Sequence, residues 1–171
     1  MKHLSQTHHC RQSKRQRGAA IVEFALVLSL LITLMAGIFE FGRAFWYYDA
    51  LTKATRDGAR LMSVVPNTAI DTGVTAATAQ VVNVVTNAGV PDFDADNVSV
   101  TCLNAAYGEI ACANVSVTPP VAAPWGVRVQ IVGYGMTIGQ FIPFLIGANS
   151  NYTATLAPHT TMRYMPFGTV P

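Results

Sequence analysis

The chain has only a few places whose residue types and spacing could do chemistry. His3, His8, His9 and Cys10 crowd the N-terminus as metal-ligand types. A zinc site, however, needs four ligands on a framework that fixes their angles, and none surrounds these residues. Asp92, Asp94 and Asp96 begin like a calcium loop, but the sixth and twelfth positions hold Asn97 and Leu103 where the loop requires Gly and Glu. They read as an acidic turn. His159 is the only histidine beyond the leader and has no serine or cysteine partner nearby in sequence, and no phosphate-binding loop occurs. Asn97, Asn114 and Asn151 each head an Asn-x-Ser/Thr triplet, which a threonine-rich chain produces by chance. No enzyme activity, cofactor, metal or nucleic-acid partner is expected.

A different kind of chemistry stands at Gly18-Ala19-Ala20-Ile21-Val22-Glu23, where a basic leader ends and a long apolar run begins with one carboxylate inside it. At the centre of a bilayer such a group costs roughly 2.5 to 3.5 kcal/mol on insertion scales, and less near the edge. Intramembrane carboxylates are functional by default, and the plain alternative is a side chain snorkelling to the cytoplasmic surface. Gly18, Ala19 and Ala20 offer a protease minimal side-chain bulk at a poor helix position. Their plain alternative is the small-residue start of a membrane helix.

The element that positions these residues is membrane-spanning. Over residues 19–39 the sole ionisable side chain is Glu23, and a bilayer core needs about 20 apolar residues. The run is too long for a cleaved secretory signal and lacks a small-x-small exit, so it reads as an anchor. The net charge of +2 conceals an uneven distribution, since residues 1–18 hold Lys2, Arg11, Lys14, Arg15 and Arg17 with no acid. Bases just before a span stay cytoplasmic, which places the N-terminus inside and the C-terminal part outside. Cys10 then lies on the reducing side, while Cys102 and Cys112 lie where a disulfide persists.

No proline follows until Pro66, so the helix is expected to run on to about residue 64, roughly 70 Å in all. Phe41, Ala44, Tyr48, Leu51, Thr55, Gly58 and Met62 form a mostly apolar seam, opposite Asp49, Lys53, Arg56 and Arg60. Phe45, Trp46, Tyr47 and Tyr48 sit where the helix leaves the bilayer, as an interfacial belt would. Asp49 with Lys53, and Lys53 with Asp57, have ion-pair spacing.

Three separated blocks carry a family resemblance. Gly18-Ala19-Ala20-Ile21-Val22-Glu23-Phe24-Ala25-Leu26-Val27-Leu28, then Gly37-Ile38-Phe39-Glu40-Phe41-Gly42-Arg43-Ala44, then Ala54-Thr55-Arg56-Asp57-Gly58-Ala59-Arg60 resemble the TadE-like family of tight-adherence (Flp) pilus proteins. The resemblance implies cleavage by an aspartic prepilin peptidase after Gly18, leaving Ala19 as the new N-terminus and Glu23 as its fifth residue. It also implies that Glu23, with Phe24 beside it, guides subunit docking, the carboxylate meeting a freed N-terminal amine across a low dielectric. Many relatives carry proline where this chain has Ser29, so no proline kink is expected.

The remaining chain reads as a helix packed on a sheet. Val74, Ala77, Val81, Val82, Val85 and Ala88 recur at helical spacing before Gly89. Val98 and Val100 alternate with polar residues, as do Val115 and Val117, suggesting a hairpin around Gly108. Pairing those valines sets Cys102 opposite Ala113, so a Cys102–Cys112 bridge would need a bulge or wider loop. Val127, Val129 and Ile131 make a third strand, and residues 152–164 hold a last one. Residues 141–147 form an apolar loop, either packed under the sheet or offered to a membrane or partner.

The expectation is therefore an α+β chain: a cytoplasmic leader over 1–18, a transmembrane helix with amphipathic extension over 19–65, and a small periplasmic domain over 66–171 with a second helix and an antiparallel sheet. By resemblance it is a minor or accessory pseudopilin of the bacterial inner membrane, able to enter a surface pilus. Its implied partners are a prepilin peptidase, other pilins or pseudopilins, inner-membrane assembly proteins and lipid. The alternative is an uncleaved, single-pass anchored periplasmic binding or scaffold protein.

Overall fold

A computed structural model describes residues 13–117, 120–139 and 152–165. The first part of the leader, including His3, His8, His9 and Cys10, lies outside the described residues, as do the apolar run 141–147 and Asn151. One helix, α1 (Ser13–Ser63), carries the chain from the leader into the folded domain and is about 76 Å long. It begins upstream of Gly18, within the basic leader, because Lys, Arg and Gln there have high helix propensity. Ser29 and Thr33 donate their hydroxyls to the Leu26 and Ser29 carbonyls at 2.8 Å, so neither hydroxyl is left unsatisfied on the apolar helix.

Pro66 ends the helical run, and α2 (Ile70–Asn87) folds back along α1. Gly73 faces Met62, Gly58 faces Val81, and Trp46 Nε1 donates to the Ala88 carbonyl at 3.1 Å, so the two helices are antiparallel. Gly89, at φ +75°, closes α2 in a conformation that a side chain would resist. Gly58 allows the closest approach: a Cβ there would stand 2.6 Å from Val81 Cγ2, on a stiff β-branched side chain that is fully buried. Gly58→Ala is expected to cost about 1–3 kcal/mol by overpacking, read as a lower urea midpoint in detergent.

The acidic run becomes a short 3-10 turn (Ala95–Asn97), with Asp94 and Asn97 forming a reciprocal cap. Then follow β1 (Val98–Leu103), β2 (Glu109–Ile110), β3 (Ser116–Val117), β4 (Pro120–Val121), β5 (Gly126–Ile131), β6 (Gly135–Ile138), β7 (Tyr152–Thr155) and β8 (His159–Arg163). The main antiparallel sheet has the order β2-β1-β5-β8, while β3-β4 and β6-β7 are separate two-stranded ribbons.

The structure corrects the hairpin register. Val98 and Val100 pair with Ile131 and Val129 of β5, not with Val117 and Val115, and β2 meets β1 only at Cys102↔Ile110 and Leu103↔Glu109. β5 offers a full-length alternating partner, whereas Val117 runs into prolines that cannot donate to a ladder. Val115 instead donates its N–H to the Asn67 carbonyl at 2.9 Å, drawing residues after Ile110 toward the turn between the helices. Cys112 lies on that departing segment and is bonded to Cys102, with the Cα atoms 5.0 Å apart.

The last strand is also corrected: it is two strands in two sheets. β7 pairs with β6 and β8 with β5, the break falling before Pro158, which has no N–H to continue a ladder. Leu156 donates to the Tyr134 carbonyl and Ile131 to the Pro158 carbonyl, both at 3.0 Å, as the chain crosses between sheets.

The core lies between the helices and the inner sheet face. One cluster joins Leu51 and Ala54 of α1 to Val81 and Val85 of α2 and to Val129 and Ile131 of β5; the other joins Met62, Ile70, Ala77, Cys102 and Val127. Tyr134 closes the first cluster, edge-on to Phe93 at 5.6 Å, its hydroxyl donating to the Pro91 carbonyl at 3.1 Å. Burial, with Tyr47 and Asp92 nearby, pushes this hydroxyl up to about 12 from the ordinary 10.0. The unfolded chain therefore loses the proton first, and stability is expected to fall as pH rises from 10 to about 12. Urea midpoints across that window should fall less steeply in Tyr134→Phe; the residual slope includes Tyr164, also raised by burial.

Candidate functional site

Gly18, Ala19, Glu23 and Phe24 all lie on α1 and all are exposed. A Cβ at Gly18 would meet nothing within 4 Å, so the junction is sterically open although helical. The helix over Gly18–Ser63 is long and apolar enough to cross a membrane, its most apolar window having a mean hydropathy of 2.4 with none of it buried against the domain. Glu23 has no hydrogen-bond or ion-pair partner among the described residues.

Within the anchor the exposed apolar side chains lie on every side of the helix, and one row of them continues beyond it. Phe24, Val27, Leu31, Leu34, Ile38, Phe41, Phe45 and Tyr48 step alternately by three and four residues and are 50% to 71% exposed. Spacing of this kind forms a seam suited to a neighbouring helix. It corrects the expected seam: Leu51, Thr55, Gly58 and Met62 are buried as that pattern required, but Phe41 and Tyr48 face away from the domain. The physical reason is that α2 ends beside Trp46, so among the described residues no second helix covers this part of α1.

The inward face of the same stretch holds a charged latch that sequence reading missed. Glu40 is 5% exposed; its Oε2 accepts from the Arg43 guanidinium at 2.7 Å, and its Oε1 accepts the Gly139 N–H at 3.2 Å. Arg43 also donates to the Thr137 carbonyl at 2.7 Å and stands 6.0 Å from the Tyr47 ring centre. The latch therefore fastens β6 to α1 one turn after the apolar run. Glu40 and Arg43 were visible as an ionisable i,i+3 pair bordering an apolar helix, a setting in which charges are costly unless partnered. What the sequence did not offer was their backbone partners nearly a hundred positions later.

Other predicted features separate in space. Tyr47 packs against the core and Trp46 bonds to the end of α2, while Phe45 and Tyr48 remain on the exposed seam, so the four aromatics face different ways. Lys53 pairs with Asp49 at 2.6 Å on the solvent face, where Arg56 and Arg60 also lie. Among the described residues no group of three His, Cys, Asp or Glu side chains is placed to hold a metal ion.

Residues 18–60 match the family model described as TadE-like protein, the family that the three sequence blocks resemble. The match spans α1 from the small-residue junction nearly to its end and supports a role of the pseudopilin kind associated with tight-adherence pili. No curated protein and no solved structure matches the chain.

Proposed function

We propose that the chain is a TadE-like pseudopilin that serves as a minor or accessory component in assembling a tight-adherence pilus. It enters the inner membrane with its basic leader cytoplasmic and residues 66–171 periplasmic. A prepilin peptidase then cuts between Gly18 and Ala19. The observation that carries this reading is an apolar helical run over residues 19–39 that lies clear of the domain, follows a small-residue junction and holds one carboxylate, Glu23, with a row of exposed apolar side chains that continues to Tyr48. A lipid anchor alone needs no seam beyond the bilayer, whereas a helix that docks against other pilin-like helices does. The folded domain favours an accessory role over bulk filament, and its function on this reading is structural.

Two locations follow for the mature protein. As a filament component it leaves the membrane and buries the seam against neighbouring helices; as an assembly factor it stays anchored and engages the machinery through its periplasmic domain.

The test is intact mass and N-terminal sequencing on membrane and sheared-surface fractions from cells containing the matching peptidase. An N-terminus at Ala19 supports processing, and its distribution between fractions separates filament subunit from membrane factor. The unbroken helix through Gly18 favours a second reading, an uncleaved anchored scaffold, because the protease must unwind the junction. Met1 retained in every fraction would establish that alternative.

A further inference from the structure

Cys102 and Cys112 share one bond but not one environment. Cys102, on β1, is fully buried among Met62, Ile70, Ala77, Val127 and Tyr164. Cys112 is only half-buried, on the segment that leaves the main sheet after β2. That segment is fastened to the start of α2 and to the turn before it. The Asn114 side-chain amide donates to the Asp71 carboxylate at 2.8 Å, its oxygen accepts the Asp71 N–H at 3.2 Å, and Val115 donates its N–H to the Asn67 carbonyl at 2.9 Å. The bond therefore ties the sheet to the turn between the helices through the less buried of its two cysteines.

We propose that Cys112 is the exchange sulfur of this bond, the one through which a protein dithiol–disulfide oxidoreductase closes and opens it. Thiol–disulfide exchange is a displacement at sulfur along the line of the bond that breaks, so the attacking group must reach the far side of the sulfur it strikes. Cys102 has no exposed surface to strike. Attack on Cys112 instead drives Cys102 out as the leaving thiolate. In the closing direction Cys112 attacks the oxidant's disulfide, forming a mixed disulfide and releasing one oxidant sulfur as thiolate. Cys102 then attacks the Cys112 sulfur, forming the native bond and releasing the second. The two thiols of this chain give up two protons and two electrons, and the oxidant's disulfide takes them up as two thiols. With the Cα atoms 5.0 Å apart, the fold holds Cys102 within reach of Cys112 for that second step.

The experiment mixes the folded, oxidised full chain in detergent, carrying Cys10→Ser so that one pair of cysteines remains, with a reduced thioredoxin whose resolving cysteine is replaced by serine. Without the resolving thiol the mixed disulfide persists. After acid quenching and alkylation in denaturant with N-ethylmaleimide, peptide masses identify the cysteine joined to thioredoxin and the cysteine alkylated. Thioredoxin should be on Cys112 and the alkyl group on Cys102, favoured over the reverse by about tenfold or more. The same chain unfolded in urea and given reduced glutathione should show a preference of about twofold or less, because the burial that creates it is gone. The proposal is overturned by a mixed disulfide at Cys102, by equal amounts at the two cysteines, or by the absence of any mixed disulfide from the folded chain. The identity of the cellular oxidant as an exoplasmic one rests on the periplasmic placement proposed above, where a disulfide persists. The trapping result does not depend on that placement, so a domain found on the cytoplasmic side would remove the oxidant and leave the assignment of Cys112 intact.

Discussion

Glu40→Ala destabilises the folded domain by about 3 kcal/mol, and the damage appears first at β6. Breaking a buried ion pair by removing one member costs about 3–5 kcal/mol, and the lower end applies because the Arg43 side chain keeps 22% of its exposure. The variant takes the carboxylate from a guanidinium still directed at the Thr137 carbonyl, and takes the acceptor from the Gly139 N–H. Amide exchange over β6 and β7 should therefore accelerate more than exchange over β1 and β5, which the core holds independently. Glu40→Gln retains an acceptor for Gly139 but can turn an amide donor toward Arg43, so it should recover less than half of the loss. Unchanged unfolding and unchanged exchange at β6 in Glu40→Ala would remove the latch from the account.

The latch explains how a free helix can transmit a definite orientation. Below Glu40 the side chains of α1 face outward; above it the helix is fixed by Arg43 to β6, by the Thr55–Thr160 hydroxyl bond at 3.0 Å to β8, and by the Ser63 carbonyl accepting from Met165 at 2.8 Å. Force or contact on the seam is thus passed to a domain attached at several levels. A hinge at the bilayer surface would not behave this way.

What the sequence revealed depended on whether the relevant signal was local. α1 was legible because no proline interrupts it and its apolar run is too long for most other roles; α2 was legible from the spacing of Ala77, Val81 and Val85. Val127, Val129 and Ile131 declared a strand, and the pairing of that strand was what remained hidden. Val98 and Val100 have a nearby candidate partner in Val115 and Val117, and that pairing closes a shorter loop. The distant partner prevails because β5 pairs along all of β1, burying its own Val127 and Val129 while Val98 and Val100 pack half-buried against the core. Pro158 could have signalled the split between β7 and β8, since it lies within the stretch read as one strand. At the candidate site, Gly18 and Glu23 are candidates by type and spacing, whereas Glu40 and Arg43 acquire their partners only when the fold brings Thr137 and Gly139 to them.

Glu23→Ala should leave the mature N-terminus unchanged and abolish pilus assembly. The substitution removes a charge from an apolar helix, so insertion becomes easier, by up to roughly 3 kcal/mol if the residue were at mid-bilayer and less at its edge. A snorkelling side chain with no further task would therefore be dispensable, and the variant would assemble at least as well as the parent. Docking requires the opposite result. The exposed seam can still bring apolar helices together in the variant, but an apolar seam permits several axial registers, and a buried polar contact is the device that selects one. With no partner among the described residues of a single chain, Glu23 is available to the amine that the proposed cleavage would free at Ala19 of its own or a neighbouring subunit. Sheared-surface fractions, immunoblotting and N-terminal sequencing on the same cells separate the steps. Correct trimming with loss of surface pili supports docking; normal piliation assigns Glu23 to snorkelling; and retention of Met1 places the carboxylate in peptidase recognition instead.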